Sequence, residues 1–273
     1  MRINDYPAVS VMTANNVLIL DGPDGTKTIN GKDAGIALNG LASAEQHRMT
    51  FRGKNLGSAP TPQQLAAIRD GSFNDIYLGD YWVNNGITYR VADFNYWFNS
   101  GDTPFTIPHL VIVPDQTMNN TQMEATDITT NGYFGSAMRQ TTIPGVVITL
   151  QGIFGSALQT HRELLINASV SGRPSAGSWY DSIADIMQET QVYGGTIFAA
   201  HSDGTIVPNL YTNNKQQFAL FAMVPKFASP GRYNYWLRDI VSTTRFALVN
   251  GLGSASHHGA SVSNGVRPCF AIG

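Results

Sequence analysis

The stretch Phe246–Gly273, FALVNGLGSASHHGASVSNGVRPCFAIG, governs how the rest of the sequence is interpreted. Two apolar, strand-like segments, Phe246–Val249 and Val266–Ile272, flank sixteen residues that are largely Gly, Ser, Asn and His. The second segment has the composition of a core strand, so we predict that it is locked into a sheet. The residues Gly251–Gly265 are then predicted to form a long polar loop held at both ends, as binding loops of antibodies are.

The composition is that of a folded protein with little charge. Of 273 residues, 42% are hydrophobic, which is ample for a core. Charged residues make up 13% and the net charge is −2, with no block of like charge. This pattern argues against nucleic-acid binding and against a polybasic membrane patch. The single cysteine, Cys269, excludes an internal disulfide framework and a multi-thiolate metal site, and is predicted to be a buried, inert thiol.

The sequence carries no recognisable targeting or membrane segment. The first residues lack a basic start followed by an apolar core, which a secretory signal requires. No apolar run approaches the roughly 20 residues that a membrane-spanning helix needs. We therefore expect a protein made in the cytoplasm, without membrane insertion.

Residues 1–45 are predicted to form a separate small module. A strand at Val17–Leu20, a turn at Asp21–Gly25 and an alternating run at Thr26–Ile29 predict a β-hairpin. The following segment, Gly31–Arg48, has small residues that are compatible with a helix. A hairpin and a short helix bury too little surface to be stable alone, so the module is expected to need a partner.

Residues 46–273 are predicted to form one α+β domain. Thr61 is an N-cap, Pro62 takes the first helical position, Gln64 completes a capping box, and Gly71 ends the helix. A second helix is predicted within Ser175–Gly195, because its apolar residues share one helical face: Trp179, Ile183, Ile186 and Met187.

Aromatic and β-branched runs predict the strands of this domain. An Asn-Asn-Gly turn at residues 84–86 separates two of them. Residues 116–160 fit both helical and strand periods, and their structure is left open. The predicted strands are Ile76–Leu78, Tyr81–Val83, Ile87–Phe94, Pro108–Asp115, Thr196–Ala200, Gln217–Pro225, Tyr233–Val241, Arg245–Asn250 and Val266–Ile272.

No catalytic motif is present. The sequence lacks a nucleophile elbow, a phosphate-binding loop, a dinucleotide fingerprint and a zinc-protease motif. His257–His258, with serines nearby, is the cluster closest to a nucleophilic or metal site. Adjacent histidines point in different directions, however, and no carboxylate lies close in sequence to orient either one.

Other polar groups have structural interpretations. His161–Arg162–Glu163 is interpreted as a surface ion pair or a helix cap. The dispersed aspartates are interpreted as buried structural carboxylates, because calcium requires clustered oxygen ligands: Asp80, Asp93, Asp102 and Asp239. We therefore predict that the chain is not an enzyme and that it binds no cofactor and no metal.

The carboxyl-terminal pattern resembles a known family. It consists of Trp236–Leu237–Arg238, a Phe-Ala-Leu-Val strand, a Gly-rich polar loop, and Gly265–Pro268 followed by Phe270. This resembles the C-type-lectin-like fold of prokaryotic and phage proteins, which includes the retroelement-diversified variable proteins and related domains of Firmicutes phage tail-fibre and head-fibre proteins. Ile76–Trp97 looks like the early strands of that family.

The resemblance implies a C-type-lectin-like domain with a mixed or antiparallel sheet and two or more helices, in which the last strand pairs near the first. It implies structural roles for Trp236, Arg238 and Arg267, with both arginines buried and hydrogen-bonded to backbone or carboxylates. Calcium-dependent lectins carry Glu-Pro-Asn or Gln-Pro-Asp and Trp-Asn-Asp triplets, and none occurs here. A lone Cys269 also cannot supply the cysteine pair of formylglycine-generating relatives.

The amino-terminal piece, Ile3–Leu38, is similar to the short attachment segment at the start of phage tail-fibre, head-fibre and other appendage proteins. In those proteins a hairpin docks the appendage to the particle. The residues that this resemblance marks for virion attachment are Tyr6, Val17, Leu18, Ile19, Leu20 and Ile29.

Together these features predict a bacteriophage virion structural protein, made in the host cytoplasm and exposed on the particle as a tail fibre, head fibre or capsid decoration. Its expected partners are other virion proteins of capsid or tail, further copies in a homotrimer, and a glycan or protein of the host surface. A glycan-acting enzyme or a secreted adhesin on the same fold is the alternative. The candidate ligand contacts are Ser254, Ser256, His257, His258, Ser261, Asn264, Tyr233 and Tyr235.

Overall fold

The computed structural model describes residues 17–22, 25–30, 44–202 and 216–273. The chain divides into two units, residues 1–43 and residues 44–273. In the first unit, β1 (Val17–Gly22) and β2 (Gly25–Asn30) pair antiparallel. The predicted hairpin is confirmed, with strands that reach further into the turn than the sequence indicates. Tyr6 and residues 31–43 of the predicted helix lie outside the described residues, whereas residues 44–48 are helical.

The second unit combines many short strands with few helices, which confirms the α+β class. The helices are α1 (Pro62–Arg69), α2 (Ile143–Phe154, entered by a π turn at Met138–Thr142), α3 (Glu189–Tyr193) and α4 (Ala219–Met223), with 3₁₀ turns at Gly155–Ala157 and Pro225–Ala228. The strands are β3 (Tyr81–Asn84), β4 (Ile87–Phe94), β5 (Leu110–Pro114), β6 (Asn119–Thr121), β7 (Leu158–Gln159), β8 (His161–Val170), β9 (Arg173–Ser182), β10 (Ala184–Ile186), β11 (Tyr235–Ile240), β12 (Arg245–Val249), β13 (Ala255–Gly259), β14 (Asn264–Val266) and β15 (Pro268–Ile272).

Local signals predicted α1 and the β3–β4 hairpin correctly. The Thr61 side chain accepts from the Gln64 N–H while the Gln64 side chain accepts from the Thr61 N–H, as a capping box requires. Asn85 and Gly86 have φ of 48° and 78°, the left-handed conformation of a two-residue hairpin turn.

The first sheet contains the final strand at an interior position, with neighbouring strands on both sides. Its order is β10-β15-β5-β4-β3, and β7 also pairs with β15. Every residue of β15 is buried, because β5 lies on one side of the strand and β10 and β7 lie on the other. The prediction that the Val266–Ile272 segment is locked into a sheet is therefore confirmed.

The second sheet has the order β13-β12-β11-β14-β6. Its pairs are antiparallel except for β11 and β14, which run parallel where Tyr235 faces Gly265. The short β14 leads directly into β15, so Arg267 is the residue that joins the two sheets. The β12–β13 hairpin therefore belongs to a sheet that is connected through β14 to the buried final strand.

The helix predicted within Ser175–Gly195 is wrong for most of its length. Residues up to Ser182 form β9, which pairs with β8 so that Trp179 lies opposite Leu164. Only Glu189–Tyr193 is helical. Apolar residues spaced by three and four also occur by chance in strands, and pairing along the whole of β8 overrides the helical pattern.

Two strands predicted in the last third are also wrong. Gln217–Pro225 contains α4, because a short apolar run fits a buried helix as well as a buried strand. Thr196–Ala200 is an irregular segment whose backbone N–H groups at Ile197, Phe198 and Ala199 donate to the Glu189 carboxylate. A side chain, and not a neighbouring strand, satisfies these donors.

Candidate functional site

The polar stretch Gly251–Gly265 forms a strand, two turns and a short second strand, so the predicted single long loop is wrong. β13 pairs with β12 from Ala255 opposite Val249 to Gly259 opposite Arg245. The turn before it is closed by Asn250, whose Oδ1 accepts from the N–H groups of Leu252 at 2.9 Å and Ser254 at 3.1 Å. A polar edge strand carries Ser and His without an apolar alternation, which is why the sequence did not indicate it.

The two histidines lie on opposite faces of β13, because successive side chains of a strand alternate. His258 turns inward. Its ring meets the edge of the Trp236 ring at 6.4 Å, and its Nδ1 lies 3.2 Å from Oδ1 of Asn264. Asn264 is only 6% exposed. These two candidate ligand residues therefore hold β13 and β14 together; Asn264 has little surface to offer, whereas His258 is half-buried, as His257 is.

His257 is on the outer face with two neighbours that the sequence did not single out. Nη1 of Arg245 donates to its Nδ1 at 3.1 Å, and the Phe198 ring stands edge-on to it at 5.0 Å. Arginine can only donate, so this contact requires an unprotonated Nδ1. Phe198 is exposed and is brought to β13 by the irregular segment that Glu189 anchors.

Asp127 contributes a carboxylate to the same end of β13. Its Oδ1 accepts from the N–H of Ser261 at 2.8 Å and from Oγ at 2.7 Å. These hydrogen bonds, helped by Arg245, hold the pKa of Asp127 below its ordinary value. Asp127 comes from more than a hundred residues earlier in the chain, and no local sequence signal marks it.

The predicted pair of tyrosines is split. Tyr233 is 50% exposed, whereas Tyr235 is 1% exposed and its hydroxyl donates to the Ala228 carbonyl at 2.6 Å. Tyr235 cannot present its ring to a ligand. The strand alternation that predicts a shared face for both tyrosines does not extend to Tyr233, because β11 begins only at Tyr235.

We use the name β13 surface for the residues grouped on the outer face and at the far end of β13: His257, Ser261, Asp127, Arg245 and Phe198. Ser256 alternates with His257 and lies on the face of His258, whereas Ser254 and Tyr233 are exposed just before β13 and β11. The β13 surface joins a hydroxyl, a cation, an anion and two aromatic rings on a rigid support. Such a mixture provides adaptable hydrogen bonds and flat apolar contact area, as binding surfaces do.

Trp236, Arg238 and Arg267 are all inside the core. The Trp236 indole N–H donates to the Thr121 carbonyl at 2.9 Å. Nη2 of Arg238 donates to Oε2 of Glu163 at 3.1 Å, and Arg267 donates to backbone carbonyls of three other residues. These side chains connect strands and do not reach the β13 surface.

The interpretation of His161–Arg162–Glu163 as a surface pair or helix cap is wrong. The residues lie on β8, where alternation buries His161 and Glu163 and turns only Arg162 outward. Asp80 and Asp93 are buried, as predicted, and bind arginines. The prediction that Asp102 is buried is wrong, because it lies in an exposed turn and pairs with Arg162 there. The Cys269 thiol is buried beside the Asp185 carbonyl, and burial raises its pKa above the ordinary value.

A cleft of about 440 Å³ lies beside His161 and contains Arg162 and Asp181. Arg162 binds Asp102 at 2.7 Å and Asp181 at 2.9 Å, so one cation is shared between the two carboxylates. The hydrogen bond from Arg162 lowers the pKa of Asp102. A glycoside-cleaving general acid needs a raised pKa, and Asp102 has the opposite shift.

Within the described ranges, no group of three or more His, Cys, Asp or Glu side chains is placed to hold a metal ion. In the same part of the chain, no helix combines the length and apolarity needed to cross a membrane. In comparisons with known proteins, no family model, no curated protein and no solved structure matches the chain.

Proposed function

We propose that this chain is a bacteriophage virion structural protein whose second unit is a C-type-lectin-like domain displaying the β13 surface. The observation that carries the proposal is the position of β15. The final strand pairs with β5, and β5 pairs with β4 and β4 with β3, the first strands of the unit. The last strand thus shares a sheet with β3 and β4 and is separated from them by β5, which supports the expectation from the family resemblance that the last strand pairs near the first.

The second unit is suited to displaying the β13 surface because the residues of that surface are not part of the core. β13 lies at the edge of its sheet, with β12 as its neighbour, and the serines at its start are accessible. Polar side chains on an edge strand change at little cost in stability, whereas all of β15 and all of β12 after Arg245 are buried. A surface of this kind is free to adapt to a ligand.

The remaining parts of the proposal follow from the sequence. Residues 1–45 would attach the protein to the tail or head of the particle, with the hairpin β1–β2 supplying Val17, Leu18, Ile19, Leu20 and Ile29. A homotrimer suits the three-fold positions of appendages. The displayed domain would adhere to a glycan or protein of the host or its surroundings, without enzymatic activity.

Mass spectrometry of purified particles tests the proposal. Cells carrying the gene are induced, and particles are purified by density gradient from the lysate. We expect the full chain in the particle fraction, and we expect a variant lacking residues 1–45 to be lost from it. A Leu252→Ser variant, altered only at an exposed turn, is the matched control and should be incorporated normally.

Absence of the full chain from particles would reject the virion role. Normal incorporation of the shortened variant would reject attachment through residues 1–45 while keeping the virion role.

A further inference from the structure

A small cavity lies at the tip of the β12–β13 hairpin. Its volume is about 220 Å³, and it opens between the turn Gly251–Leu252–Gly253 and the segment that precedes β11. The residues that line it are Pro225, Lys226, Ser229, Arg232, Gly251, Leu252 and Gly253. It is smaller than the pockets that hold drug-sized ligands, and its size suits a single chemical group with its attachment point.

The cavity is positively charged without compensation. Lys226 and Arg232 both line it, and no acidic residue does. Among the described residues, neither cation lies within ion-pair distance of a carboxylate. The Lys226 ammonium lies 5.3 Å from the centre of the Phe227 ring, a contact that leaves its charge without an anionic partner. Most other arginines of the domain are bonded to aspartate, glutamate or carbonyl groups, so two cations without a carboxylate in one cavity are unusual in a chain of net charge −2.

The wall of the cavity holds a polar group without a partner. Oγ of Ser229 is buried and makes no hydrogen bond in the described part of the chain. A buried hydroxyl normally has a partner, because leaving it unsatisfied costs free energy. A serine hydroxyl beside two cations is a natural third donor for an anion.

The shape of the cavity is fixed by the backbone around it. A Cβ on Gly251 would lie 2.5 Å from the Arg232 carbonyl oxygen, so only glycine permits this approach. The Gly251 N–H donates to Oδ1 of Asn234 at 2.8 Å, and the Tyr193 hydroxyl donates to the Gly253 carbonyl at 3.1 Å. The turn and the cationic segment are thus held at a set separation before any ligand binds.

We propose that this cavity binds an oxyanion, the phosphate or sulfate group of an anionic polymer. Lys226 and Arg232 supply charge and N–H donors, Ser229 supplies a hydroxyl donor, and the 86% exposed Leu252 offers an apolar rim to the neighbouring polymer unit. The assignment of that polymer to a host surface rests on the proposed function, whereas the anion site does not.

The test measures binding of the full chain to three immobilised polymers by surface plasmon resonance. They are poly(glycerol phosphate), heparin as a sulfated chain, and neutral dextran as the blank. We expect binding to at least one of the charged polymers, weakened by added salt because charge pairs are screened. The polymer preferred at equal charge density separates a phosphate from a sulfate ligand.

The variants are Lys226→Gln, Arg232→Gln and Ser229→Ala. Arg173→Gln, an exposed cation at the start of β9, is the matched control. We expect each cation variant to weaken binding about tenfold, which corresponds to one lost charge-assisted hydrogen bond, and the control to bind as the parent does. Thermal unfolding of every variant shows that the fold is kept.

Parent-like binding by Arg232→Gln and Lys226→Gln, or no binding of the parent chain to either charged polymer, would overturn the anion site. The result is separable from the virion assay. A chain that is absent from particles but loses polyanion binding with Arg232→Gln refutes the proposed function and keeps the site.

Discussion

Nη2 of Arg238 donates to Oε2 of Glu163 at 3.1 Å inside the domain, joining β11 of the second sheet to β8 of the long hairpin. Both side chains are buried. The other oxygen of Glu163 accepts from the Trp97 indole N–H at 2.8 Å. A buried ion pair contributes little net stability compared with an apolar pair, but removal of one member leaves a charge without a partner.

Replacement of Glu163 should therefore be strongly destabilising. We expect Glu163→Gln to lower the free energy of unfolding by about 3–5 kcal/mol, because Arg238 would stay buried without its counter-charge. Urea denaturation followed by tryptophan fluorescence measures the change. Asp181→Asn is the matched control: this carboxylate is 75% exposed and also pairs with an arginine, so its loss should be under about 1 kcal/mol. Equal losses in the two variants would contradict the role of burial.

The same glutamate should define the acid limit of stability. Burial on its own raises the pKa of Glu163, but Arg238 and then His161 lower it to about 2. A carboxyl with a lowered pKa stabilises the fold above its unfolded pKa of 4.5 and loses that contribution as the pH falls from 4.5 toward 2. We expect a loss of about 3 kcal/mol across this window. Equilibrium unfolding between pH 5 and 2 checks it, and Glu163→Gln should flatten the curve there.

Asp239 should have the opposite effect on the pH dependence of stability: its contribution falls as the pH rises. Burial raises the pKa of Asp239 from 3.8 to about 7, although the N–H of Glu189 donates to its Oδ2 at 2.7 Å. Its proton is favoured in the folded state, so this group's contribution is present below pH 3.8 and is lost as the pH rises toward 7. Asparagine keeps an acceptor for the Glu189 N–H without the charge. We expect Asp239→Asn to stabilise the protein by about 2–4 kcal/mol at pH 7 and to have little effect at pH 4.

A destabilised Asp239→Asn variant at pH 7 would show that the charged form is needed. Asp70→Asn, at the exposed end of α1, is the control and should not change the pH dependence.

The parts of the fold that local chemistry determines were predictable from the sequence. The capping box at Thr61, the Asn85–Gly86 turn and the buried strand within Pro108–Asp115 each depend on residues within a few positions of one another. Segments whose form depends on distant partners were not. β9 is a strand because β8 lies beside it, and the segment around Phe198 is placed by a carboxylate from α3.

The same limit explains the candidate site. His257 and the serines near it could be chosen from composition, but Arg245, Phe198 and Asp127 reach them from three other places in the chain. The prediction that Tyr235 faces a ligand is wrong because β11 begins at Tyr235 and Tyr233 lies outside that strand. A sequence indicates which residues are polar, whereas the sheet order decides which of them share a surface.

Arg267 provides a test of the junction between the two sheets. Its Nε donates to the Pro114 carbonyl at 2.7 Å, and its two terminal nitrogens donate to the Ala228 carbonyl at 2.7 Å and the Phe227 carbonyl at 2.9 Å. Lysine keeps the charge but cannot reach three acceptors in a fixed fork. We expect Arg267→Lys to lower the free energy of unfolding by about 2–4 kcal/mol, since buried carbonyls lose their donors.

Arg173→Lys, at an exposed position of β9, should be neutral in the same urea titration. A loss below about 0.5 kcal/mol for Arg267→Lys, the range of ordinary surface substitutions, would mean that the junction does not depend on the guanidinium fork.

Substitutions of the two neighbouring histidines should have different effects, one on stability and the other on adhesion. His258 lies against Trp236 and beside the buried Asn264, so His258→Ala should lower the free energy of unfolding by about 1–2 kcal/mol through an unsatisfied amide. His257 lies on the outer face of β13, where it contacts Arg245 and the exposed Phe198. His257→Ala should therefore lower the free energy of unfolding by less than about 1 kcal/mol. If the β13 surface binds the host, His257→Ala should reduce attachment of the purified full chain to host cells, measured by flow cytometry, at unchanged thermal stability. His258→Ala should affect attachment only at temperatures where the variant begins to unfold. The reverse pattern would contradict binding through the outer face of β13.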